Sequence, residues 1–188
     1  MKILLHVCCA ICAGAVIEKL KQDDNKVIAF FYNPNIFPEE EYLRRRDEAL
    51  RICKEAGIEF VEGENDHDSW LSKVKDYAGE KEGGKRCEIC FAIRLSEASQ
   101  KASEIGCDAV ATTLTISPHK NAEVVNRIGK ECAELYGLKF IDTIWRKGGG
   151  FKRACEIAKE KNVYHQDYCG CEFSLRDKIN RVKNKNKI

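Results

Sequence analysis

Short apolar runs alternate with longer helical patterns along the whole chain, and this alternation limits the fold more than any other feature. Lys2–Val7 (KILLHV), Lys26–Tyr32 (KVIAFFY), Ile58–Glu62, Asp108–Leu114 (DAVATTL) and Lys139–Ile144 read as strands. Between them Ala13–Leu20, Glu39–Ala56, Ser69–Tyr77, Cys87–Ile105 and Asn121–Tyr136 read as helices, with Phe151–Glu160 as a further one. Gly57 supplies a C-cap for the helix before it. Strands joined through helices of ten or more residues need right-handed crossovers, which produce a parallel sheet. The expected fold is α/β: a Rossmann-like, doubly wound five-stranded parallel sheet with helices on both faces. Strand one lies centrally, the winding reverses between strands one and four, and ligands collect beyond the carboxyl ends of those two.

A chain of 188 residues suits one domain with its own core, and no Pro/Ser-rich linker divides it. Charge marks a single boundary. Residues 176–188 hold Arg176, Lys178, Arg181, Lys183, Lys185 and Lys187 against Asp177, so this segment carries +5 and leaves −3 on the rest. We expect a single α/β domain over 1–175 and a basic C-terminal tail over 176–188, able to touch a polyanion. The first residues, MKILLHVCCA, hold too short an apolar run for a signal-peptide core, and no stretch approaches a membrane span. A cytoplasmic location follows as an expectation, with no membrane partner.

Eleven cysteines are an odd number, so they cannot all pair within one chain, and a reducing compartment disfavours bridges. Cys53, Cys107, Cys132 and Cys155 fall on apolar helix stripes or beside a strand and read as ordinary core thiols. The remainder cluster as Cys8-Cys9 with Cys12, Cys87-x-x-Cys90, and Cys169-Gly-Cys171. Neighbouring thiolates of this kind converge on soft metals: zinc, copper(I) or iron–sulfur clusters. Roughly 78 residues separate the groups, far beyond a local zinc ribbon, so the whole fold must assemble them. Cys8 and Cys9 stand where strand one ends. The turn there reads CCAICAG, with no glycine-rich phosphate loop, which argues against a nucleoside triphosphate. Six or seven thiolates exceed one tetrahedral zinc and suit a four-iron cluster with a second metal position, or a cluster with a reactive thiol.

The segments HVCC at His6–Cys9, FYNPNI at Phe31–Ile36, EYLRR at Glu41–Arg45, RCEICFAIRL at Arg86–Leu95, TTLTISPHKN at Thr112–Asn121 and YHQDYCGC at Tyr164–Cys171 resemble the QueH-type epoxyqueuosine reductases. The resemblance runs in order over nearly the whole chain. Ile11, Phe37 and His119 depart from the usual pattern, and none of them removes a sulfur ligand. What the resemblance implies is a HUP-type sheet carrying a [4Fe-4S] cluster and a second mononuclear metal, iron. The implied ligands are Cys8, Cys9, Cys87, Cys90, Cys169 and Cys171, with Cys12 at a further ligand position. The implied activity is reduction of epoxyqueuosine at the tRNA wobble position to queuosine, the last step of queuosine biosynthesis, without cobalamin.

Turning an epoxide into an alkene takes two electrons and two protons, and the oxygen leaves as water. Clusters deliver electrons singly, and an open metal position polarises a C–O bond as a Lewis acid. Cys12, beside the second metal, and His6, on the strand face of Cys8, are the candidate catalytic residues. The partners are then tRNA with epoxyqueuosine in its anticodon loop and an external electron donor. For RNA contact the candidates are Arg44, Arg45, Arg46, Lys85, Arg86, Lys120, Arg146, Lys147 and the tail, with Tyr32 and Tyr168 as stacking surfaces. Three rival readings use the same residues: a zinc-stabilised RNA-binding module, a thiol–disulfide oxidoreductase on Cys87-x-x-Cys90, and an ATP-dependent transferase.

Overall fold

In the computed structural model, which describes residues 1–185, five parallel strands form one sheet in the order β3-β2-β1-β4-β5. The elements run β1 (Lys2–His6), α1 (Ala10–Gln22), β2 (Lys26–Phe31), α2 (Glu39–Glu55), β3 (Glu59–Glu62), α3 (His67–Val74), α4 (Lys85–Glu104), β4 (Ala109–Thr112), α5 (Ala122–Glu134), β5 (Lys139–Phe140), α6 (Gly150–Glu160) and α7 (Glu172–Lys185). The central strand is β1, and the winding reverses between β1 and β4 as the alternation requires.

Alternation along β1 sends side chains into two different cores. Ile3 and Leu5 pack with α1, α2 and α6 on one face, through residues such as Val16, Ile17, Ile52 and Ile157. Leu4 joins Ala98 and Ala102 of α4 on the other face. Helix α2 ends as a Schellman turn: Gly57 takes φ +66°, and the Ile58 N–H returns to the Cys53 carbonyl at 3.1 Å.

Two strands are shorter than their apolar runs. The Thr112 hydroxyl accepts the Leu114 N–H at 3.2 Å, and this turns Thr113–Ile116 into a 3₁₀ helix that ends β4. Past Phe140 the chain departs from the sheet, its Thr143 carbonyl accepting the Thr115 hydroxyl at 2.8 Å. Helix α7 runs across residues 175 and 176, so the start of the basic segment continues a helix that opens at Glu172. Residues 186–188 of that segment, Lys187 among them, lie outside the described residues.

Candidate metal centre

All seven clustered thiols sit at helix starts. Cys9 is the N-cap of α1 and Cys12 lies in its first turn. Cys87 and Cys90 are one turn apart near the start of α4, which places them on one helix face. Cys169 and Cys171 immediately precede α7. The first turn of a helix carries about half a positive charge and lowers the cost of a thiolate there. The CCAICAG turn therefore offers sulfur at the place where related sheets offer a phosphate cradle.

The structure sorts the seven into two sets. The sulfurs of Cys8, Cys9 and Cys12 all lie within 4.8 Å of one another. They line an open cavity of about 610 Å³ at the β1/β4 switch point, together with Phe151, His165, Tyr168 and Arg181. Cys87, Cys90, Cys169 and Cys171 line a second, narrow cavity with Trp70 and Phe91. Cys169, Asn35, Glu82, Arg94, His119 and Lys120 line both.

Hydrogen bonds fix the two sets against each other. The Cys8 N–H donates to the Thr113 hydroxyl at 3.2 Å, which ties the β1 turn to the end of β4. Asn33 donates to the Val7 carbonyl at 2.9 Å and accepts from the Arg94 guanidinium at 2.5 Å, so the NPN segment spans from the β1 turn to α4. Gln166 donates to the Cys9 sulfur at 3.0 Å, and Lys120 Nζ to the Cys169 sulfur at 3.2 Å. Within the triad, hydrogen bonds from Cys12 and then Cys9 hold the Cys8 thiol well below its usual range. Cys9 is pushed up to about 12: its bond with Cys12 works downward, but donation to Cys8 and burial outweigh it. Donation to Cys8 and to Cys9 raises Cys12. Burial opposes the charge on Lys120, yet the Cys169 and Cys8 thiolates prevail and its pKa is raised.

These surroundings bear on several of the residues singled out in the sequence. His6 is fully buried and does not line either cavity. The Tyr32 carbonyl, 3.2 Å from Nε2, can only accept, so Nε2 carries the proton and Nδ1 accepts from the Thr112 hydroxyl at 3.0 Å. Burial drops its pKa to about 3, so at neutral pH it is an uncharged brace under the thiol turn. Cys155 is exposed on the wall of the large cavity, because α6 turns Ala154, Ile157 and Ala158 inward instead. Cys53, Cys107 and Cys132 are buried as expected. Tyr32 stacks on Phe30 away from the cavities, while Tyr168 lines the large one.

Three of the cations expected to meet RNA bind groups of the fold instead. Arg45 is buried, pairs with Glu41 at 2.7 Å, and donates to the carbonyls of Cys169 and Tyr168. Arg86 caps the carbonyls of Tyr77, Ala78 and Glu80. Arg146 holds those of Ser117 and Lys120. Glu41 also accepts the Tyr164 hydroxyl at 2.9 Å, so EYLRR clamps the segment that carries the last two thiols. Replacing Arg45 with alanine leaves Glu41 buried without its partner, and we expect a loss of about 3–5 kcal/mol in denaturant unfolding. An unchanged midpoint would mean that the clamp is dispensable. Arg94, Gln166, Phe151 and His165 were not singled out from the sequence. For Arg94 a signal existed: it follows Cys90 by one helical turn and so shares its face.

Sheet, thiol set and cavity together define an α/β scaffold fit to hold a metal cluster beside a ligand-sized pocket. The family model for epoxyqueuosine reductase QueH matches residues 3–177. Epoxyqueuosine reductases QueH of Histophilus somni and Acinetobacter baylyi are 41% and 42% identical over 177 residues. Each alignment covers 94% of this chain, and 73% and 81% of those proteins. The Thermotoga maritima QueH is 37% identical, covering 94% of this chain and 91% of its own. The chain belongs to the epoxyqueuosine reductase QueH family: it is an oxidoreductase of queuosine biosynthesis that reduces epoxyqueuosine. Among solved structures, the U34-tRNA thiolase NcsA from Methanococcus maripaludis with its [4Fe-4S] cluster has the same fold, with a TM-score of 0.59 at 16% identity. The match covers 98% of this chain but 66% of the thiolase, just under two thirds of it. No helix among the described residues is long and apolar enough to cross a membrane.

Proposed function

We propose that the enzyme reduces epoxyqueuosine within the tRNA anticodon loop, using a [4Fe-4S] cluster on Cys87, Cys90, Cys169 and Cys171 and a second metal, iron, on Cys8, Cys9 and Cys12. The observation that carries this reading is the partition of the thiols: four line one narrow cavity, and three within 4.8 Å line the adjoining large one. Four thiols are the complement of a four-iron cluster, and three leave a mononuclear ion an open position. Bound there, the two groups supply single electrons and a Lewis-acid position.

The chain's own residues do the rest. The 610 Å³ cavity is large enough for an unstacked modified base. Tyr168 and the half-exposed Phe151 on its wall offer stacking surfaces, and Arg181 of α7 contributes a cation. Arg94, 2% exposed and without a carboxylate partner among the described residues, offsets the negative charge that thiolates bring to the shared wall. His119 and His165 line the large cavity, where His6 does not, and are the histidines positioned to meet substrate. The cytoplasm, where tRNA is modified, is the location that goes with this substrate, and an external donor supplies the electrons.

Anaerobic purification with iron and sulfide analysis tests the cofactor reading. A colourless protein holding zinc alone, still inactive after anaerobic reconstitution, would defeat it. Reversing Arg181 and Lys183 to glutamate tests the tRNA reading: binding should weaken, and the slope of log affinity against log salt should flatten by about 2. An unchanged slope would remove α7 from the RNA surface.

A further inference from the structure

Three of the four sulfurs around the narrow cavity each accept a hydrogen bond from an N–H group. The Gly83 N–H donates to Cys87 at 3.3 Å, and the Ser174 N–H to Cys171 at 3.4 Å. On the same wall stands the buried indole N–H of Trp70, which has no hydrogen-bond partner among the described residues, and burial pushes the nearby Cys90 thiol up to about 11. Cys169 receives Lys120 Nζ at 3.2 Å. Two of these donors are neutral dipoles; the third is a full positive charge.

Lys120 is held in place from behind. Its own carbonyl accepts from Arg146 at 3.1 Å, and the next residue, Asn121, caps α5 through its side chain. A sulfur is the hydrogen-bond partner of Lys120; no carboxylate among the described residues is within ion-pair distance of it, though Glu82, which lines the same two cavities, also favours its charge. Donors and positive charge close to a cluster's sulfurs favour the reduced form, which carries one more electron. Lys120 also lines both cavities, so its charge stands where the electron-holding side meets the substrate side.

We propose that Lys120 is a positioning residue of the reductase, whose ammonium on the Cys169 sulfur sets the reduction potential of the group held by Cys87, Cys90, Cys169 and Cys171. This rests on the cluster reading above, and its failure is distinguishable from the failure of that reading. The side chain acts as a fixed charge on a ligand and not as an RNA contact, the role that its composition alone implies.

The test is a redox titration of the anaerobically reconstituted enzyme, followed by visible absorption, with iron and sulfide counted in each sample. Lys120→Met and Lys120→Gln should load iron and sulfide as the wild type does. Their reduction should be about tenfold less favourable, a shift of about 59 mV to lower potential for a one-electron couple. Lys120→Arg, which keeps the charge, should stay close to the wild-type potential. Wild-type potentials in both neutral variants, with weakened tRNA binding or without it, would overturn the proposal. Loss of iron from both would also overturn it, since Lys120 would then hold the group in place without tuning it. If only the methionine variant fails to load, the glutamine variant decides. Absence of sulfide from the wild type itself would instead sink the cluster reading, before any variant is compared.

Discussion

Replacing Cys169 with serine is expected to abolish both the iron–sulfur absorption and turnover, the largest effect any single substitution in this chain should have. Cys169 lines both cavities and is the sulfur that Lys120 and the α4 thiols face across the narrow one. A serine hydroxyl is a hard, largely protonated ligand, and it does not replace a soft thiolate on iron. Its neighbour cannot swing in to compensate. Gly170 holds φ +131° between the two cysteines, and a side chain there would meet Arg45 Nη1 at 3.0 Å, so the backbone fixes where each sulfur points. Cys132→Ala, on the buried face of α5, is the control and should keep chromophore and activity. Iron and sulfide analysis with an activity assay reads both variants. A Cys169→Ser enzyme that retained four irons and normal turnover would show that the ligand set lies elsewhere.

The second large effect separates the two thiol sets. Cys12→Ala should leave sulfide content and visible absorption intact while lowering turnover by at least about 100-fold, given that even supporting groups around metals cost 10–100-fold. Cys12 belongs to the triad at the start of α1 and lines the large cavity, whereas the four-thiol cavity does not include it. Removing its sulfur takes one of three ligands from a mononuclear ion and none from the cluster. Loss of the whole chromophore in this variant would sink that division of labour. Iron content should fall by one per chain, which gives a readout independent of turnover.

How far the sequence led depended on the kind of signal. Strand order was legible because apolar runs separated by long helices leave few parallel arrangements, and the switch point then predicted where Cys8 and Cys9 would face. Grouping of the thiols was legible from spacing alone. Side-chain direction was not. In α6 both Phe151, Cys155, Ala158 and Ala154, Ile157, Ala158 make apolar stripes. The second stripe wins because Gly14 of α1 leaves room for Ile157: a Cβ on that glycine would lie 2.8 Å from the isoleucine. The cations misled for a related reason. A charge count records Arg45 and Arg86 as surface, though Glu41, one helical turn before Arg45, already offered it a partner. The carbonyls that bind Arg86 come from an irregular segment without a sequence signature. Packing against neighbours that lie far off in the chain decides such matters, and periodicity does not see them.

The three helix starts also bear on how the enzyme comes to be made. Residues 8, 87 and 169 are far apart in the chain, and the last pair is anchored where Arg45 takes the Tyr168 and Cys169 carbonyls and the Phe37 N–H donates to the Gly170 carbonyl. The first 160 residues hold the whole sheet and five of the seven clustered thiols, two of them from the narrow cavity. The other two thiols of the narrow cavity, Cys169 and Cys171, come from beyond that point, so the four-thiol wall closes when the last segment docks against α2 and α4.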